Sequence, residues 1–494
     1  MWRTEGGKNL IDRLARPSRF WHAYAFAAKI TCLAVGVFIM ALLIWEATIV
    51  SRIPDDSAPT LEMMLGIPGV NPIIPVIYGI IGLIVAIFVH EYAHGILTRV
   101  GQMRIKSLGL LLFIVPIGAF VEPDEQQIAN ADRKRRTSLY AVGPATNIFL
   151  ALFCVLLFCN ILMASAVPIR ENPVILAIGE DSPAIHAGLS FGAQLVEIGG
   201  IEIETIDDFN TLSFEPGSLV DVSYYLSGEL RRASVTAGLT LVDVSKGLPA
   251  YEAGLRPGMI LSMLNGTIIR NQHELEEVLA LTHPGQTVSL EALYYDQDSE
   301  KYQIYPVTSI TLTSRKAYLK DIDPNLVNES EPDRGFMGIN SAYMGMLVGS
   351  PRALIRSLAD PLANIKTPLD FFGASLRFIA LPFQGLAPIE SPLKDLFVPD
   401  GLLAWMPNDL FWFISNSIYW IFWINIMVGM TNVLPAVPLD GGYLFKDAVD
   451  SIVQKLKRNA SEKERAYYVA LITYLFAVLV LLLIVWQFIG PRLL

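Results

Sequence analysis

The chain has 494 residues, 53% of them hydrophobic and 17% charged, with a net charge of −10. Soluble domains carry about 25% charged residues, so this composition excludes a protein that sits wholly in water. No nucleic-acid partner is expected, and Cys32, Cys154 and Cys159 lie in apolar runs as small buried hydrophobes, not as a disulfide or metal framework.

Residues 1–29 are polar and basic, and no small-residue cleavage site follows the first apolar run, so a signal peptide is not expected. Apolar runs at about 30–50, 73–99, 137–166, 409–435 and 466–489 are each long enough to cross a bilayer, which takes about 20 helical residues. Between the second and third lies SLGLLLFIVPIGAFV, Ser107 to Val121, apolar but short and broken by Gly109, Pro116 and Gly118. A re-entrant loop or hairpin is expected there, and lipid tolerates such backbone only where protein covers it.

The region between the third and fourth runs contains a repeat. Asp181-Ser-Pro-Ala-Ile-His-Ala-Gly-Leu189 returns as Gly247-Leu-Pro-Ala-Tyr-Glu-Ala-Gly-Leu255, and the same offset pairs Gly192 with Gly258 and Gly200 with Gly266. Each copy predicts a strand, a short helix ending at Ala-Gly-Leu, a turn glycine, a strand with a Gly-Gly or Asn-Gly turn, and a helix. Over about 170–315 this resembles tandem PDZ domains. The resemblance implies peptide ligands added as a strand beside an exposed edge, and the alternative is a pair of spacers or steric plugs. Further on, the runs around Met344–Val348 and Phe371–Leu381 are apolar but interrupted by Pro, Arg or Asp, and read as interfacial helices on the membrane surface.

Charge predicts orientation. Six basic residues stand against two acids in 1–29; Arg99, Arg104, Lys106 and Arg133 to Arg136 flank the re-entrant segment; 446–465 holds six basic residues against four acids. The positive-inside rule places all three in the cytoplasm. Five spans then put the amino terminus inside and the carboxyl terminus outside. Region 170–330, with 10 basic against 23 acidic residues, also falls outside.

His90-Glu91-Tyr92-Ala93-His94 lies within an apolar run. On a helix, positions 90 and 94 share a face, so both imidazoles can bind one metal ion while Glu91 takes a proton from water on it. Ionisable groups in an apolar span are expensive and point to function; the alternative is a hydrogen-bonded structural pair. A catalytic zinc takes a third protein ligand. The candidate is Asp440, after Pro435 and Pro438 and before Gly441 and Gly442, where the bent backbone can turn a carboxylate inward. Read alone, Asp440 could equally cap the helix that follows.

These residues resemble the site-2 protease family of intramembrane metalloproteases. Its HExxH helix matches His90, Glu91 and His94, and its asparagine–proline–LDG motif matches Asn432, Pro435, Leu439, Asp440 and Gly441. The resemblance implies one zinc ion held by His90, His94 and Asp440, with Glu91 as general base. Gly143-Pro-Ala-Thr-Asn147 resembles a motif often found in the family's third span. Asn147 and Asn432 are therefore candidates to bind substrate backbone or the oxyanion, or else make interhelical hydrogen bonds. Gly118 and Phe120 are candidates to present a strand edge to an unwound substrate, unless the segment only seals the site from lipid.

The expected fold is a multi-pass α-helical membrane protein, with about five spanning helices, a re-entrant segment and two inserted α+β PDZ-like domains. The expected divisions are 1–72 (basic start and first span), 73–166 and 406–494 (catalytic core), 170–239 and 240–320 (PDZ-like), and 321–405 (interfacial linker). Expected substrates are membrane proteins with a transmembrane helix, cut during regulated intramembrane proteolysis. The rivals are clearance of remnant signal peptides, an idle peptide-binding scaffold and, more weakly, a metal transporter. The sequence leaves the oligomeric state open.

Overall fold

Followed along the chain, the computed structural model describes every residue except 1, 5, 6, 51–59, 113–115, 323–326, 329, 331, 364 and 494. The chain divides into two units: Met1–Met163 with Asn364–Pro388 and Asp409–Leu494, and Ala164–Ala363 with Ile389–Asn408.

The first unit opens with strand β1 (Trp2–Thr4) and helix α1 (Lys8–Leu14). Helix α2 (Ser18–Ile49) begins twelve residues before the first apolar run, because nothing after Pro17 breaks the helix even though its first turns are polar. Helix α3 (Val76–Val100) carries the His-Glu-x-x-His sequence. The segment after it is a hairpin of β2 (Ile105–Leu112) and β3 (Pro116–Pro123), paired Leu108 to Val121 and Gly109 to Phe120. Its tip, 113–115, lies outside the described residues. Strand β1 pairs with the other side of β2, so the sheet order is β1-β2-β3. Helix α4 (Arg133–Leu157) follows, started by Asp132, whose carboxylate accepts from the Arg135 amide.

The second unit holds two sheets of the same topology. The first contains β4 (Val174–Ile178), β5 (Gln194–Ile198), β6 (Leu219–Leu226) and β7 (Glu229–Thr236); the second contains β8 (Leu239–Val244), β9 (Ile260–Leu264), β10 (Thr287–Asp296) and β11 (Lys301–Thr311). Short helices Pro183–His186 and Pro249–Glu252, then Ile206–Asn210 and α5 (Gln272–Ala280), occupy matching places in the two copies. The Gly199-Gly200 and Asn265-Gly266 turns have positive φ at both positions, 60° and 82°, and 51° and 79°. That geometry matches the twist of a two-residue hairpin and favours Gly or Asn.

One expectation is overturned here. Met344–Val348 is not an interfacial helix, and 321–405 is not simply a linker. Strands β12 (Ile339–Tyr343) and β13 (Met346–Gly349) complete the two sheets: β12 pairs with β8, and β13 with β4. The orders are β11-β10-β9-β8-β12 and β13-β4-β5-β6-β7. The apolar character of Met344 and Met346, both buried, serves the sheet cores. Each copy buries its own apolar cluster, around Leu195, Val222 and Val235 in one and Leu241, Leu261 and Leu290 in the other.

The chain then returns to the first unit. Helix α6 (Pro368–Ile379) starts with a reciprocal cap between Thr367 and Asp370. It is followed by α7 (Asn408–Asn432), α8 (Asp440–Leu456) and α9 (Glu462–Leu493). The Tyr419 hydroxyl and Trp423 indole of α7 donate to the Phe378 and Ile379 carbonyls, at 2.8 and 3.0 Å, and hold the end of α6. Among the described residues, five helices are long and apolar enough to cross a membrane: Ser18–Ile49, Val76–Val100, Arg133–Ser165, Asn408–Asn432 and Glu462–Arg492.

Candidate metal centre

Two turns of α3 place His90 and His94 on one buried face, 8% and 9% exposed. Asp440, 346 residues beyond His94, meets them at the start of α8. Its Oδ2 lies 3.1 Å from His90 Nε2 and 3.1 Å from His94 Nε2, and the two Nε2 atoms are 3.1 Å apart. The helix starts so close to the preceding loop because position 441 has no side chain: a Cβ there would overlap the Val433 carbonyl.

The three donors fit a zinc ion. His94 Nδ1 lies 2.9 Å from the Leu139 carbonyl, which can only accept, so Nδ1 carries the proton and Nε2 offers a lone pair. Three such electron-rich atoms at 3.1 Å repel one another without a cation among them. Tetrahedral zinc, with ligands about 2.0–2.2 Å away, separates its ligand atoms by about 3.3–3.5 Å. Beside them, α4 contributes Gly143. A Cβ at that position would overlap His94 Nε2 and lie 2.7 Å from His90 Nε2. Only glycine leaves the space clear.

Glu91 points to the hairpin, where its Oε2 accepts from the Val121 amide of β3 at 3.1 Å. Because the Val121 amide faces away from β2, strand alternation sends the backbone groups of Ala119 and Val121 to the free edge and those of Gly118 and Phe120 toward β2. Gly118 and Phe120, the candidates for a substrate-facing edge, thus turn their backbone groups toward β2, and Ala119 and Val121 turn theirs away from it. The reach of Val121 to Glu91, visible only in three dimensions, fixes that parity.

Asn147 is fully buried in α4, and neither amide atom has a hydrogen-bond partner among the described residues. Asn432, half-buried at the end of α7, donates to the Val428 carbonyl one turn back at 3.0 Å. Asn147 thus has an uncommitted amide, and Asn432 spends one donor on its own helix.

Sequence reasoning missed the clamp that holds Asp440 in place. Arg136 of α4 makes two hydrogen bonds to Asp447 of α8, at 2.9 and 3.3 Å; Arg133 reaches Asp450 at 2.7 Å; and Arg465 of α9 reaches Asp450 at 2.5 Å. Between clamp and metal centre, the Tyr140 and Tyr443 rings stack 4.9 Å apart. Asp440, Tyr443, Asp447 and Asp450 fall at helical spacing on one face of α8, the signal that could have shown it. A cavity of about 800 Å3 opens beside these residues, lined also by Glu125 and Glu462.

In the second unit, a groove of about 160 Å3 runs between Leu275 and Leu279 of α5 and Ile339 to Ser341 of β12, with Arg315 and Arg334 among its lining residues.

A multi-pass helical protein with a His-His-Asp centre buried among its spans is the architecture of an intramembrane metallopeptidase. The chain belongs to Peptidase family M50, whose signature matches residues 78–479. An uncharacterized protein of Methanocaldococcus jannaschii is 30% identical over 212 residues, covering 42% of this chain and 53% of that protein. A Neisseria meningitidis protein, whose name assigns it provisionally to the zinc metalloproteases, is 23% identical over 74% of this chain and 88% of its own length. The zinc metalloprotease RasP of Shouchella clausii is 24% identical over 51% of this chain and 52% of its own. The chain thus spans about half the length of the archaeal relative and of RasP. Family and helices together mark a multi-pass membrane protein.

Proposed function

We propose that this chain is an endopeptidase carrying one zinc ion, hydrolysing peptide bonds in or beside the transmembrane segments of other membrane proteins. The observation that carries this reading is the meeting of His90, His94 and Asp440 within 3.1 Å, with Glu91 next to them on the helix. His90, His94 and Asp440 would hold the zinc, which would supply Lewis acidity for a water and for the scissile carbonyl. Glu91 accepts the proton and passes it to the leaving amine. The Val121 amide orients its carboxylate. Asn147 keeps an uncommitted amide for substrate or oxyanion, and the Ala119–Val121 edge receives substrate backbone as an added strand. A helical substrate must unwind first, because its carbonyls are already bonded, so helix-breaking residues near the scissile bond speed cleavage.

Regulated intramembrane proteolysis is the reading we favour. The two inserted sheets are PDZ-like, and the α5–β12 groove takes an extended peptide. Standing outside the membrane, they exclude substrates with intact ectodomains. The basic clusters put the amino terminus in the cytoplasm, and the insert and carboxyl terminus outside.

The test uses Glu91→Gln. Purified protein should hold one zinc per chain, and the variant should keep it while losing about 10²–10⁴-fold in cleavage of a single-span reporter. In native membranes it should retain bound, uncut membrane proteins. Cleavage unaffected by Glu91→Gln, or wild-type protein without zinc, would refute the reading in favour of an idle scaffold.

A further inference from the structure

We infer that residues 2–4 and 7–16 form a strap that positions Glu91 through strand β3, with Ile11 as the positioning residue; this rests on the peptidase reading above. Ile11 is completely buried although α1 is only seven residues long. It enters where α3 is thinnest. A Cβ on Gly95 would lie 2.9 Å from Ile11 Cδ1 and 3.3 Å from Val121 Cγ1. One glycine of the metal-binding helix therefore admits Ile11 and the side chain of the very residue whose amide holds Glu91.

The strap is tied down at residues 2–4, 8, 12 and 14. Strand β1 pairs with β2 at Trp2 to Leu110, Arg3 to Gly109 and Thr4 to Leu108, covering the edge of β2 that β3 does not use. Lys8 Nζ donates to the Lys106 carbonyl at 3.3 Å. Asp12 takes two hydrogen bonds from Arg99 at the end of α3, at 2.5 and 3.2 Å. The Trp21 indole of α2 donates to the Leu14 carbonyl at 2.7 Å. Both faces of the hairpin problem are thus addressed: β1 fixes β2 from outside, and Ile11 fixes Val121 against α3. A short hairpin held this way presents only β3 as its open edge and keeps the Val121 amide at hydrogen-bonding distance from Glu91. Ile11 packs on the side chain of Val121, whose amide holds Glu91, so it acts on the catalytic carboxylate through that residue.

The experiment uses full-length protein in detergent and, as probe, a synthetic single-span peptide with an Asn-Pro pair near its midpoint. A displaced catalytic group costs turnover more than binding. Ile11→Ala should therefore lower kcat about 10-fold, with KM within about twofold and zinc content unchanged. Amide hydrogens of 117–122, within the 116–123 strand bounded by Pro116 and Pro123, should exchange about fivefold faster as the hairpin loosens. Ile11→Val should restore most of both. Deleting residues 2–4, which leaves the Ile11 contact alone, should give the same split through β2. The inference is overturned if kcat stays unchanged while exchange quickens, if exchange does not change at all, or if activity falls only in step with zinc loss. Failure of the peptidase reading shows separately, as no turnover by wild type; exchange in 117–122 then decides the strap alone.

Discussion

In the inserted sheets, buried polar groups are matched. Gln194 donates to the Arg170 and Asn172 carbonyls, Thr282 to Leu279, Thr240 to Gly238, and the Ser182 hydroxyl accepts from the Ile185 amide. In the helical unit, both amide atoms of Asn147, Oδ1 of Asn425 and Nδ1 of His90 are buried without a partner among the described residues. An orphaned buried polar group costs about 1–3 kcal/mol, so a fold keeps one only where something else is gained. The insert is organised for stability around two apolar clusters. The membrane unit, in contrast, leaves several buried polar atoms uncommitted among the described residues.

The strongest attack on this contrast compares two glycines. Gly143→Ala puts a methyl group onto His94 Nε2; it should abolish zinc binding and cleavage, read as metal content and turnover. Gly200→Ala has open space around it but a φ of +82°. It should cost about 1–2 kcal/mol of stability from strain alone and leave zinc content as it was. Equal effects would erase the distinction between the units.

A smaller effect separates the two buried amides. Gln194→Ala strands two carbonyls and should destabilise the insert by about 1–3 kcal/mol. Asn147→Ala removes a group that bonds to nothing among the described residues, so the melting temperature should barely move while kcat falls at least about 10-fold, the weight of an oxyanion or substrate contact. A large loss of stability in Asn147→Ala with normal kcat would show that the amide is structural.

The smallest effect lies at the clamp. Arg465 holds the Asp450 carboxyl below the ordinary range; burial opposes this and Arg133 adds to it. A depressed carboxyl contributes stability above its unfolded pKa, about 3.9, and loses it as pH falls through the folded value. Asp450→Asn should thus lower the melting temperature by a few degrees at pH 7, with the difference shrinking below about pH 4. An undiminished difference at pH 3 would remove the ion pair from the account.

Much of the metal centre was legible. His90 and His94 declared themselves through helical spacing within an apolar run, and Asp440 through a carboxylate set among prolines and glycines beside a span. The repeat announced two copies of one topology because its Gly-Gly and Asn-Gly turns require a backbone that few residues adopt. Strands β12 and β13 were not legible. Ile339-Asn-Ser-Ala-Tyr343 and Met346-Leu-Val-Gly349 are too short to show a period that tells a surface helix from a sheet edge, and only the open flanks of β8 and β4 choose. The parity of β3 was hidden for a related reason. Alternation by two sets which residues share an edge, but which pair faces outward depends on where Glu91 sits.

Sequence by itself determined the chemistry available, two imidazoles and two carboxylates in segments too apolar to carry them idly, because side-chain type and desolvation cost are local properties. Tertiary structure decided that Asp440 and not another acid joins the histidines, that Gly143 clears their space, and that Val121 holds Glu91. Those outcomes depend on contacts between residues up to 350 positions apart. Such contacts are fixed by how helices pack and pair their charges, which no local pattern encodes.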